Sequence, residues 1–168
     1  MPPAAITGTF ALVPQVVDAV KVPVIAAGGI ADGRGIAAAF ALGAAGVQIG
    51  SAYLRCPESK VIAPARVALA QARDDSTVIT NVMTGRPARG VANRVMREVG
   101  PVSADAPAFP HAATSLGPLK AAAEKLGKVD FTNLWAGQAV RMGREMPAAE
   151  LTRALAGAAL ARFAQMAG

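Results

Sequence analysis

The residues of this chain best suited to chemistry are two glycine-bearing turns, Gly28–Gly29 and Gly50–Ser51, in the segment PVIAAGGIADGRGIAAAFALGAAGVQIGSAYLRCPES, residues 23–59. Each follows a short apolar run that reads as a strand, so each leaves backbone N–H groups exposed at the carboxyl edge of a sheet. Positions without side chains let a ligand approach those donors, and Ser51 adds a hydroxyl. Turns of this kind on neighbouring strands make a cradle for a phosphate group, the ligand that strand-end and helix-start N–H groups hold best. The same glycines would also serve tight strand-to-helix turns with no ligand; two such turns separated by one helix favour phosphate.

Other reactive side chains are few. Cys56 is the single cysteine and His111 the single histidine, so neither a disulfide within the chain nor a metal site can be assembled from them. Cys56 sits between a turn and a helix with no neighbouring histidine and reads as an unreactive thiol. His111 lies beside a Pro-rich stretch and reads as a surface or locally hydrogen-bonded residue. Asp32 and Glu58 precede helical patterns and read as cap or first-turn carboxylates.

The elements that must position the turns follow from periodicity. Leu12 to Val20 carries apolar residues at helical spacing and is closed by Lys21. Val22 to Ala27 is a β-branched run of the kind buried on both faces of a parallel sheet. Gly33 to Leu42 is a helix capped by Asp32 and stopped by Gly43, and Gly46 to Ile49 is a second buried strand. Helix, strand, helix, strand with short connections predicts a parallel sheet of the α/β class. Beyond it, Glu58 to Arg73 reads as a helix, Thr77 to Met83 as extended, Arg86 to Val99 as irregular or partly helical, and Gly100 to Pro110 as a loop. Pro118 to Leu126 and Pro147 to Met166 read as Ala-rich helices, each with a proline in its first turn.

Composition bounds the partners. Hydrophobic residues make up 53% of 168 and charged residues 17%, enough apolar material for a sizeable core. The net charge of +6 suits small anions. It does not point to nucleic acid, because the densest basic run, Arg86, Arg89, Arg94 and Arg97, is broken by Pro, Gly and apolar residues and reads as a solvated helix face paired with Glu98 or similar. No apolar stretch reaches the length of a membrane span and the amino terminus has no leader pattern, so a soluble cytoplasmic protein is expected.

The segment AAGGIADGRGIAAAFALGAAGVQIGS resembles the flavin-phosphate region of nitronate monooxygenases, in which a GGI-x-DG turn is followed by a helix and a Q-x-G-(T/S) turn. FALVPQVVDAV upstream, with TGRPARGVANRVMRE and NLWAGQAV downstream, resembles the family in the same order. FMN-dependent enoyl-acyl-carrier-protein reductases share much of the pattern. The resemblance implies an FMN enzyme of α/β fold, a (β/α) TIM-type barrel present in part. On this division, residues 1–57 are its last βα units, 58–130 a small insertion domain with a linker, and 131–168 a return segment and terminal helix. It implies that Gly28 and Gly29 offer N–H groups to the FMN phosphate and that Gln48, Ile49, Gly50 and Ser51 form the second wall, with Gln138 returning toward the flavin. The implied reaction is the oxidation of a small anionic substrate, an alkyl nitronate, with O₂ to a carbonyl compound and nitrite. The family's amino-terminal barrel half, with its catalytic histidine, has no counterpart before Met1, so self-association or a missing half is expected.

Overall fold

The computed structural model describes residues 7–168. Its elements run α1 (Thr9–Ala19), β1 (Ile25–Ala27), α2 (Gly33–Ala41), β2 (Gly46–Gln48), α3 (Ala63–Gln71), β3 (Thr77–Thr80), β4 (Ala88–Val91), α4 (Arg94–Glu98), α5 (His111–Lys125) and α6 (Ala148–Ala167). Two 3₁₀ turns, Ser51–Arg55 and Gln138–Met142, complete the order. The chain is a mixed α/β fold. β1 and β2 pair in parallel with Ile25 opposite Gly46 and Ala27 opposite Gln48, as a strand–helix–strand unit requires. β3 and β4 pair antiparallel with Thr77 opposite Val91. Among the described residues these are two separate two-stranded sheets, and no closed barrel is formed.

Local chemistry explains where the first unit starts and stops. Asp32 accepts from the N–H groups of Arg34 at 2.9 Å and Gly35 at 3.1 Å, which satisfies donors that the first turn of α2 leaves free. Gly43, at φ +92°, ends α2 in the left-handed region. α6 then lies against α2. The approach is close because Gly33 has no side chain: a Cβ there would sit 2.5 Å from the Ala158 carbonyl carbon. Ile36, Leu151, Leu155 and Ala159 fill that seam together with Ala52 and Cys56. A second cluster, including Leu69, Val91, Leu134 and Val140, ties α3 and β4 to the segment before the second 3₁₀ turn.

Several expectations change. β1 is shorter than Val22 to Ala27 and is not buried on both faces, since Ala26 is buried but Ile25 is 56% exposed. β2 stops at Gln48, before Ile49. α1 begins earlier than Leu12 and ends at Ala19, leaving Lys21 outside it. α3 begins at Ala63 and not near Glu58, because Pro64 in its first turn sets the start. Glu58 therefore caps no helix of its own. Its carboxylate instead accepts from the Ala148 N–H at 3.0 and 3.1 Å and caps α6 across the fold. Arg86 to Val99 holds a strand as well as a helix, the strand being β4. α5 begins at His111, so Pro118 lies within the helix and not in its first turn. The loop expected at Gly100 to Pro110 contains no regular element.

Candidate functional site

The turn after β1 is built by two consecutive glycines with positive φ, +105° at Gly28 and +74° at Gly29. Side chains rarely adopt that backbone, which is why glycine stands at both positions. A Cβ at Gly28 would also meet Thr9 Oγ1 at 2.9 Å. Thr9 starts α1 and donates its hydroxyl to the Ala27 carbonyl at 3.2 Å, so the helix holds the turn in place. Around Gly29 and Gly50 the space is open, with nothing within 4 Å of an added Cβ. Among the described residues no turn or loop backbone hydrogen bond uses the N–H of Gly28, Gly29 or Gly50. Free donors and open space at one sheet edge are the physical requirements of an anion cradle.

Ser51 meets the same place by a longer route. Its Oγ accepts from the Gly137 N–H at 2.9 Å, and a Cβ at Gly137 would lie 3.8 Å from both Ser51 Oγ and the Gly29 nitrogen. Residues 29, 51 and 137 thus converge although they are far apart in sequence. A cavity of about 650 Å³ opens beside them, lined by Gly28, Gly29, Gly137 and Gln138 together with Thr9, Phe10, Ile79 and Arg89. Gln48, Ile49, Gly50 and Ser51 do not line it directly. Gln48 is exposed at the end of β2, and Ile49 packs on the α2–α6 seam, so its side chain belongs to the core. What Ile49 can offer a ligand is therefore backbone.

Sequence reading missed Gly137, Thr9 and Arg89. The run Arg86 to Arg97 was expected to be one solvated helix face. Only its end behaves so: Arg94 pairs with Glu98 at 2.7 Å on α4. Arg86 stacks its guanidinium 4.6 Å from the Phe109 ring centroid, and Arg89 is half-buried on β4 opposite Ile79. Opposite residues of an antiparallel pair share a face, so Ile79 and Arg89 reach the cavity together. Alternation within a short strand hidden in TGRPARGV was the only signal for this.

The remaining reactive groups stay apart from the cavity. Cys56 is buried at 1% exposure, and its thiol is pushed up by burial and by the Glu58 charge, with Arg66 opposing. It is a poor nucleophile. His111 is exposed at the start of α5. Among the described residues no cluster of His, Cys, Asp and Glu could hold a metal ion, and no helix is long and apolar enough to cross a membrane.

Residues 1–157 match the family model described as nitronate monooxygenase. A protein of Staphylococcus saprophyticus named probable nitronate monooxygenase is 41% identical over 141 residues, covering 84% of this chain and 40% of that relative. Its Staphylococcus aureus counterpart is 40% identical over the same share. Among solved structures, nitroalkane oxidase from Streptomyces ansochromogenes matches with a TM-score of 0.86 at 44% identity, covering 94% of this chain and 45% of that one. FabK from Thermotoga maritima matches at 0.77 and 30%, covering 98% and 52%. The chain thus spans about 40% of the length of the curated relatives it matches.

Proposed function

The chain belongs to the nitronate monooxygenase family, and on that premise we propose that it is the part of an FMN-dependent oxidoreductase that anchors the flavin phosphate, the last βα units of a TIM-type barrel. The observation that carries this reading is the convergence of Gly29, Ser51 and Gly137 beside a cavity, with backbone N–H groups on Gly28, Gly29 and Gly50 that no turn or loop hydrogen bond uses. Those donors fit a phosphate dianion in number and kind, and the open space at Gly29 and Gly50 leaves room for it.

In the proposed division of labour, Gly28 and Gly29 donate to the phosphate from one side, and the Gln48–Ser51 turn forms the other wall. Ser51 Oγ accepts from Gly137 and so has its own proton free to donate. Gln138 begins the second 3₁₀ turn and lines the cavity, within which its amide would meet the flavin. Phe10 and Ile79 give the cavity apolar surface. When bound, FMN supplies the redox chemistry, by which the whole enzyme would oxidise an alkyl nitronate with O₂ to a carbonyl compound and nitrite. This chain's residues contribute binding and orientation. Residues 58–130 would form a small insertion domain, and the first barrel half would come from a preceding segment or a partner chain. The second reading, reduction of an enoyl thioester by a nicotinamide donor, rests on the sequence pattern those reductases share; the likeness to FabK is lower in both TM-score and identity than that to nitroalkane oxidase.

Titration of the purified chain with FMN, followed by flavin fluorescence, tests the cradle. Saturable binding that a Gly29→Asp, Ser51→Ala double variant abolishes is the expected result. Equal binding by the variant would remove the proposal. Turnover of alkyl nitronate or of enoyl thioester with NADH by the complete enzyme selects between the reactions.

A further inference from the structure

Arg89 stands in a place where a cation needs an anion. It is half-buried on β4, it lines the 650 Å³ cavity, and its neighbours give it only neutral partners. Its Nη1 donates to the Thr77 carbonyl at 3.0 Å and to Thr77 Oγ1 at 3.2 Å. Among the described residues no carboxylate lies within ion-pair distance of it, and no hydrogen bond uses its Nε or Nη2. Removing a guanidinium partly from water without a counter-ion costs free energy that a surface position would avoid. The two Thr77 bonds fix one corner of the planar group, leaving the fork of Nε and Nη2 as a ready two-point donor for a planar or tetrahedral oxyanion.

The backbone ties this guanidinium to the glycine turn. The Arg89 carbonyl accepts from the Ala136 N–H at 3.3 Å, and the next residue, Gly137, bonds Ser51 and stands beside the Gly29 nitrogen. Ile79, opposite Arg89, and Phe10 supply apolar surface in the same cavity.

We propose that Arg89 is an anion-binding residue of this cavity, taking an oxyanion of the carboxylate, nitronate or phosphate class on Nε and Nη2. The proposal deepens the flavin reading by naming the charge that meets the bound anion. Two sources of that oxyanion are compatible with the chemistry: the phosphate of the flavin itself and a small organic acid beside it.

The test uses Arg89→Gln and three probes, FMN, riboflavin and propionate, with flavin fluorescence as the readout. If the oxyanion is the flavin phosphate, the variant binds FMN at least about tenfold more weakly and riboflavin equally well, as loss of a charge-assisted bond predicts. If it is a small acid, flavin affinities hold and the propionate dissociation constant rises by a similar factor. Unchanged affinity for all three overturns the proposal, and so does equal weakening of all three with a lowered melting temperature, which marks a purely structural arginine. A measurement on the unaltered chain covers a variant that does not fold. Phenylglyoxal modification of Arg89, read by mass spectrometry, should be slowed by millimolar inorganic phosphate or propionate while that of exposed Arg94 is not. Absence of protection overturns the proposal even where FMN binds, whereas protection without FMN binding would overturn the flavin reading alone.

Discussion

Gly137 is a residue whose role is steric and therefore separable from folding. Its φ of −77° is open to any residue, and an added Cβ meets its neighbours at ordinary contact distance, 3.8 Å. Gly137→Ala should change stability by no more than about 0.5 kcal/mol while weakening FMN binding, because the methyl group takes up space next to the Gly29 N–H. A melting curve and a flavin titration on the same sample check both halves. Cys56 makes the opposite case. Its burial and raised thiol pKa predict negligible alkylation by iodoacetamide in the folded chain at neutral pH and rapid alkylation in urea. Fast labelling of the native chain would show that the α2–α6 seam opens.

At the scale of elements, the glycine turn depends on how α2 begins and on what α6 presses against. Burial acts to raise the Asp32 pKa, but its bonds to the Arg34 side chain and to the Gly35 and Arg34 amides prevail and hold it below the ordinary carboxylate value. A depressed folded pKa contributes stability above the unfolded value, and that stability is lost as pH falls through the folded one. Asp32→Ala should therefore cost about 1 kcal/mol at neutral pH, the usual worth of a helix cap, and the gap between variant and parent should narrow as pH falls below about 4. Urea denaturation at several pH values reads this, and a gap independent of pH would mean that the carboxylate charge plays no part. Gly33→Val tests the helix crossing, since its side chain would have to enter space held by the Ala158 backbone. A loss of about 1–3 kcal/mol or more is expected from such overpacking, and a neutral result would mean that α6 can slide.

At the scale of the molecule, the parallel sheet has two strands, and Ile25 on β1 is 56% exposed, Val22 just before it 68% and Phe10 on α1 73%. Unpaired strand edges with apolar residues favour association with further strands. We propose that the chain pairs either with itself or with an amino-terminal barrel half. Sedimentation of a dilution series should show self-association at micromolar concentration that Ile25→Lys reduces. A single sharp monomer across the series would exclude self-association and leave the barrel half as the partner to be sought.

Much of this was legible before any coordinates. Strand–helix–strand alternation, the Asp32 cap, the Gly43 stop and the paired glycine turns all rest on rules that act over a few residues, and the amino-acid types alone express them. Strand β4 was not legible. Its sequence, ARGV, carries no apolar run like those of β1 and β2, and its arginine looked like part of a charged helix face. Glu58 was misplaced for a related reason: a carboxylate can cap any helix start it reaches, and the one it reaches lies ninety residues away in sequence. The sequence by itself determined the α/β class, the family pattern and the places of the two glycine-bearing turns. Only the tertiary structure decided that Gly137, Thr9 and Arg89 gather around those glycines, because contacts between distant segments depend on how whole elements pack, and packing leaves no local signature in the chain.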